Sequence, residues 1–186
     1  LVMNGKEWYG VDNDGFFAIL KDGSAMISTK ADYATYKDQV QEAVGVFGAV
    51  LIRDGEFAVN KTANYTKDRA SRTAIGITKS GKVVFMVLDG RQEPFSCGGS
   101  LREIAQIMLD AGCVHAVNLD GGGSTTFCSQ RPGEDLKVNC SLSDGGERPT
   151  SNTILVVSTA PADGQFARAQ IESDYFYYTP GSAVSF

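Results

Sequence analysis

Residues 118–127 read Asn-Leu-Asp-Gly-Gly-Gly-Ser-Thr-Thr-Phe, an acid followed by three side-chain-free positions and a run of hydroxyls. Consecutive N–H groups without Cβ atoms can curl into a concave nest that binds an anion. Ser124 and Thr125 add hydroxyl donors at the same spot, so phosphate is the natural guest of Gly121, Gly122 and Gly123. Asp120 stands directly before them. Other phosphate and hydrolase signatures fail. No Gly-Lys-Ser/Thr follows the glycines, the GxGxxG spacing is not met, and no GxSxG occurs. His115, the sole histidine, sits at the start of an apolar run and reads as a core imidazole.

Two strand-like runs must position this chemistry. "VVFMVLD" and "VHAVNLD" both end in Leu-Asp-Gly, at 88–90 and 119–121. Between them, Ser100 and Glu103 form a capping box, and Leu101, Ile104, Ala105 and Met108 make one apolar helix face that Gly112 can terminate. Strand, helix and strand predict a parallel β-α-β unit with a right-handed crossover. That unit brings Asp89 and Asp120 to one sheet rim, where ligands of open α/β sheets bind. Two acids there form an acid/base pair or hold a cation, or each simply caps its turn.

The remaining elements carry no chemistry. Hairpins are expected at Asp22-Gly23, Asp54-Gly55 and Ser80-Gly81. A helix is expected over 33–48, from Tyr36, Val40, Ala43, Val44 and Phe47 at helical spacing. "DNDG" at 12–15 reads as a turn, since it lacks the distal Glu of a calcium loop. The expected fold class is mixed α/β: hairpins and a parallel β-α-β unit feed a sheet on which helices pack. One domain should run to about residue 158. Residues 159–186 then read as a linker and the start of a β-rich module, or as a strand that returns.

With 186 residues, 42% hydrophobic and 21% charged, the chain can bury a single core. A net charge of −5 argues against a general nucleic-acid binder, so an anionic ligand needs locally placed donors. No stretch reaches the apolar length of a membrane span, so membrane insertion is not expected. Cys97, Cys113, Cys128 and Cys140 include no CxxC pair, which argues against structural zinc. Cys128 and Cys140 flank a turn-rich stretch, and a disulfide between them and four separate thiols stand as equal readings.

"RASRTAIG" (69–76), "LDGRQ" (88–92), "NLDGGGSTTF" (118–127) and "SDGGERPTSNTILVV" (143–157), in this order, resemble the phosphodiester glycosidase family over roughly residues 15–158. An Asn-Gly-Gly-Phe-Phe segment usual upstream in that family is expected to be missing here. The resemblance implies a hydrolase that cleaves the bond between a sugar's anomeric carbon and a phosphodiester, in a glycan or surface polymer. It implies phosphate grip by Arg72, Arg91 and Arg148, together with Gly121 to Gly123, Ser124 and Thr125. Asp120 is the leading carboxylate, Asp89, Asp144 and Glu147 are second acids, Asp144 also counts among the substrate-binding residues, and Asn152 orients a substrate hydroxyl or ends a loop. No cofactor is expected, and the implied location is extracellular or in the cell envelope. Two other readings stay open. One is a non-catalytic glycan-binding module. The other is a metal-dependent phosphodiesterase with Asp89 and Asp120 holding a divalent cation.

Overall fold

Asp-Gly and Ser-Gly pairs reverse the chain three times and set up most of the sheet structure. The computed structural model describes residues 1–10, 15–46, 50–59, 67–131, 133–150 and 152–157. Strands β1 (Val2–Met3) and β2 (Lys6–Glu7) form a short ribbon. β3 (Gly15–Leu20) and β4 (Ala25–Thr29) make the hairpin at Asp22-Gly23. Helix α1 (Lys30–Tyr36) leads through a 3-10 turn, Lys37–Gln39, into β5 (Val40–Gly45). β6 (Val50–Arg53) and β7 (Glu56–Phe57) turn at Asp54-Gly55. β8 (Arg72–Thr78) and β9 (Val83–Leu88) turn at Ser80-Gly81. Helix α2 (Leu101–Asp110), β10 (Cys113–Asn118) and the small ribbon β11 (Cys128–Ser129) with β12 (Lys137–Val138) follow.

Two antiparallel five-stranded sheets result, in the orders β2-β1-β5-β3-β4 and β7-β6-β10-β8-β9. Period-2 alternation sorts their side chains. Phe17 on β3, Ile75 and Ile77 on β8 and Val117 on β10 meet between the sheets. Phe16 and Ala18 face the other way, under Tyr33 and Tyr36 of α1, with the Phe16 and Tyr33 rings edge to face at 5.5 Å. Ala74 and Ala116 face α2, whose Leu101, Ile104, Ala105 and Met108 are all buried. The layers therefore run α1, first sheet, second sheet, α2.

α2 begins at the expected capping box, with Glu103 N–H donating to Ser100 Oγ and the Glu103 carboxylate accepting from Ser100 N–H. Gly112 follows it at φ +81°.

Two expectations are corrected. The helix over 33–48 stops at Tyr36, and Val40–Gly45 is a strand paired with β3. The register shifts between Ile19 and Leu20, which face Glu42 and Val40 respectively, so Gln41 is an extra residue on β5. That bulge puts Val40 and Ala43 on one face despite a three-residue spacing, which mimics a helical period. Phe47 and most of the "DNDG" turn lie outside the described residues.

The parallel β-α-β unit is the second correction: among the described residues every strand pairing is antiparallel. β9 is an edge strand, half-exposed at Phe85, and β8 lies between β9 and β10, antiparallel to both. The tight Ser80-Gly81 turn commits β9 to β8, so α2 must carry the chain back across β8 to reach β10. β9 and β10 still run in the same direction, and their carboxyl ends flank the start of β8.

By contacts the chain divides into residues 1–150 and 151–186. The expected linker and further module, 159–186, lie outside the described residues.

Candidate active site at the glycine rim

Leaving β10, the chain stays zipped to the start of β8: Leu119 N–H donates to Thr73 O at 2.9 Å and Gly122 N–H to Ser71 O at 2.8 Å. It then closes a 3-10 turn over Gly122–Ser124. Each glycine makes room for a different neighbour. A Cβ on Gly121 would lie 2.9 Å from the Ser71 carbonyl oxygen. Gly122, at φ +59°, lies under the Arg91 guanidinium, whose Nη1 would be 2.9 Å from a Cβ. At Gly123 the nearest atoms are Asp144 Oδ2 and Arg148 Nη2, which form an ion pair. No side chain fits at the last two without displacing a charged group.

The amides behave differently from the expected nest. Gly121 N–H donates to Asp120 Oδ1 at 2.9 Å, Gly122 N–H to Ser71, Ser124 N–H to Gly121 O and Thr125 N–H to Gly122 O. A 3-10 turn satisfies its own backbone, so those donors are spent inside the protein. Among the described residues, only the Gly123 N–H of residues 121–125 has no such partner. Thr125 is also turned inward: it is buried, and its Oγ1 accepts from Thr73 Oγ1 at 3.3 Å. The donors left for an anion are the Gly123 N–H and the side chains gathered on the glycine turn.

Arg91 and Arg148 lie over adjacent glycines, and Arg148 Nη1 donates to Ser124 Oγ at 3.4 Å. Arg72, at the start of β8, spends Nε on Gly99 O at 3.0 Å and Nη2 on Asp68 O at 2.6 Å. Burial lowers its pKa, and the positive charge of Arg91 lowers it further. Three arginines thus gather at one rim of an acidic chain.

The acids occupy distinct settings. Asp120 is exposed beside Gly121. Asp89 is half-buried at the end of β9, and its Oδ1 accepts from Ser141 N–H at 2.9 Å. Glu147 is exposed, and its charge, after burial, helps raise the pKa of the Cys128 thiol. Asn152 falls in the second unit, residues 151–186. Among the described residues no group of three or more His, Cys, Asp or Glu side chains converges as metal ligands do.

Sequence reasoning passed over Gln92, Ser141 and Ser71. Gln92 Nε2 donates to Ser141 O at 3.1 Å, and Ser141 Oγ donates back to Gln92 Oε1. Together with the Asp89 bond this clips the Arg91 loop to the segment that leads to Asp144. Gln92 stands beside Arg91 in "LDGRQ", a signal that was available; Ser141 has no local signal, because its partners are about fifty residues away. Ser71 is buried, and its Oγ donates to Gly90 O at 3.2 Å.

His115 is not a core imidazole. Its side chain is 33% exposed, its Nδ1 accepts from Asp54 N–H at 3.4 Å, and it lines a cavity of about 210 Å³ with Ser28, Asp32 and Arg53. All four cysteines are free thiols, and Cys140 Sγ accepts from Phe127 N–H at 3.1 Å.

Comparison with known proteins gives this rim a context. The bovine N-acetylglucosamine-1-phosphodiester alpha-N-acetylglucosaminidase is 33% identical over 128 residues, covering 60% of this chain and 24% of the relative. The SPbeta prophage-derived uncharacterized protein YomE of Bacillus subtilis is 33% identical over 115 residues, covering 59% of this chain and 16% of the relative. The chain thus spans a quarter or less of the length of these relatives. Among solved structures, the zebrafish N-acetylglucosamine-1-phosphodiester alpha-N-acetylglucosaminidase catalytic domain, auto-inhibited by its pro-peptide, superposes with a TM-score of 0.51 at 25% identity. It matches over 61% of this chain and 41% of that one. The family match starts upstream of Gly15, and residues 13–17 within it read Asn-Asp-Gly-Phe-Phe, one residue away from the segment expected upstream. Matching the model "Phosphodiester glycosidase" over residues 1–157, the chain belongs to the phosphodiester glycosidase family.

Proposed function

We propose that the chain hydrolyses the glycosidic bond of a sugar-1-phosphodiester in a glycan or surface polymer, outside the cytoplasm or in the cell envelope. One observation carries the reading. Arg91 and Arg148 lie over Gly122 and Gly123, with the Asp120 carboxylate immediately upstream of the same turn. In this reaction water adds to the anomeric carbon, and the C–O bond to phosphate breaks with its electron pair going to the phosphate oxygen. The released phosphomonoester keeps its second alcohol. Such a leaving group is already a stable anion, so protonating it matters less than holding it. Arg91 and Arg148 hold the charge that develops on it, each able to engage two phosphate oxygens, while Arg72, Ser124 and the Gly123 N–H support them. Asp120 stabilises the oxocarbenium-like sugar or takes a proton from the attacking water, with Asp89 or Glu147 as second acid. N-acetylglucosamine, the sugar in the names of the bovine and zebrafish relatives, is the first to try.

Turnover of an N-acetylglucosamine-1-phosphodiester in oxygen-18 water tests this. The label should appear on the sugar, and a chelator should leave the rate unchanged. Label on phosphate would replace the glycosidase with a phosphodiesterase. Binding without turnover in the native chain would leave a glycan-binding module.

A further inference from the structure

Of the donors gathered over Gly123, Arg148 already holds an anion. Asp144 Oδ2 pairs with Arg148 Nη2, and these are the two atoms nearest to where a Gly123 side chain would begin. Arg148 also reaches Ser124 Oγ, and the Gly123 N–H beside them has no internal partner among the described residues. Although Asp144 and Arg148 are four residues apart, they lie in a loop rather than on a helix, so helical spacing does not explain their pairing.

We propose that Asp144 is a resident counter-ion: its carboxylate occupies Arg148, the cation of the seat that Arg148, Ser124 and Gly123 offer to phosphate, and substrate enters by displacing it. This rests on the phosphate-binding reading above. Two features let the carboxylate leave. The pair is open to water, with side chains 37% and 48% exposed for Asp144 and Arg148, and ion pairs of that kind contribute little net stability. Gly145, at φ +75°, and Gly146 follow Asp144, and a Cβ on either would meet nothing within 4 Å, so the loop has room to swing. A phosphodiester engages both Arg148 and Arg91, whereas Asp144 pairs with Arg148 alone among the described residues. The exchange therefore favours phosphate over a lone carboxylate and leaves Arg148 charge-paired between turnovers.

Calorimetric titration of the full chain with inorganic phosphate tests the exchange. Asp144→Asn should lower the phosphate Kd about fivefold, the upper end for a half-exposed pair. Glu147→Gln, the same charge change three residues on, should shift it less. The gain should vanish in Asp144→Asn/Arg148→Ala, because the freed partner is then gone. In turnover, Asp144→Asn should lower KM and kcat together, since the phosphomonoester product is also held more tightly. Asp144→Ser serves as a second variant should the amide make new bonds. The proposal is overturned if Asp144→Asn binds phosphate no better than Glu147→Gln, or if the gain persists without Arg148. Tighter phosphate binding by Asp144→Asn in a chain that cleaves no sugar phosphodiester would keep the resident carboxylate and remove the reaction. Cleavage by the native chain with no gain in the variant would do the reverse.

Discussion

Asp22-Gly23 and Asp120-Gly121 are the same dipeptide in two settings. At the first, Asp22 Oδ1 accepts from Ser24 N–H at 2.9 Å and Ser24 Oγ at 2.6 Å, closing the β3–β4 turn. Gly23 takes φ +85° with nothing within 4 Å of a would-be Cβ, so the glycine is there for conformation alone. At the second, Asp120 also accepts from a following amide, but Gly121 and the two glycines after it are crowded by Ser71, Arg91, Asp144 and Arg148. There glycine is used for space. A glycine-rich turn points to chemistry when its missing side chains are replaced by charged groups from distant parts of the chain.

Substitutions separate the two turns. The largest expected effect is on turnover: Asp120→Asn should lower kcat about a hundredfold or more, whereas Asp22→Asn should leave kcat unchanged. Steady-state rates on one sugar-1-phosphodiester measure both, and equal effects would remove the distinction. Next comes Gly123→Ala. Its Cβ would overlap the Asp144–Arg148 pair, so phosphate titration should lose the heat of binding while circular dichroism stays native-like. Gly23→Ala, in open space but at positive φ, should cost about 1 kcal/mol in urea unfolding with turnover intact.

Much of this was legible beforehand, and what was not has physical causes. The capping box at Ser100, the buried face of α2 and the three hairpin turns are local patterns, and they form as read. The β5 bulge is hidden in the sequence because Val40 and Ala43 share a face at a spacing that helices also use. The sheet order is hidden because "VVFMVLD" resembles a covered strand, while the Ser80-Gly81 turn commits it to β8 at the sheet's edge. At the rim, sequence pointed to Asp89, Arg91, Asp120, Asp144 and Arg148, but not to who touches whom. That Arg91 covers Gly122 and Ser141 clips Asp89 depends on contacts across 31 and 52 residues, which no local period encodes.

Ser100→Ala sharpens the contrast between structural and rim residues at a smaller scale. It removes the cap acceptor of Glu103 N–H, and should cost about 1 kcal/mol with no change in KM. A shifted KM would mean that α2 sets the rim geometry, through Arg72 bonding to Gly99 just before the cap.

The smallest expected effect returns to Asp22 and depends on pH. Hydrogen bonds from the Ser24 hydroxyl and then its amide hold the Asp22 carboxyl below its ordinary value of 3.8. A carboxyl depressed in the folded state stabilises the fold above its unfolded pKa, and that contribution is lost as pH falls through the folded pKa. Asp22→Ala should therefore melt slightly below the native chain at pH 7, and the gap should close in acid below about pH 4. Paired thermal melts across pH 2–7 measure it. If the gap stayed constant into acid, the Asp22 turn would be held by shape rather than by charge. The two Asp-Gly turns would then differ in their neighbours and in how their carboxylates are used.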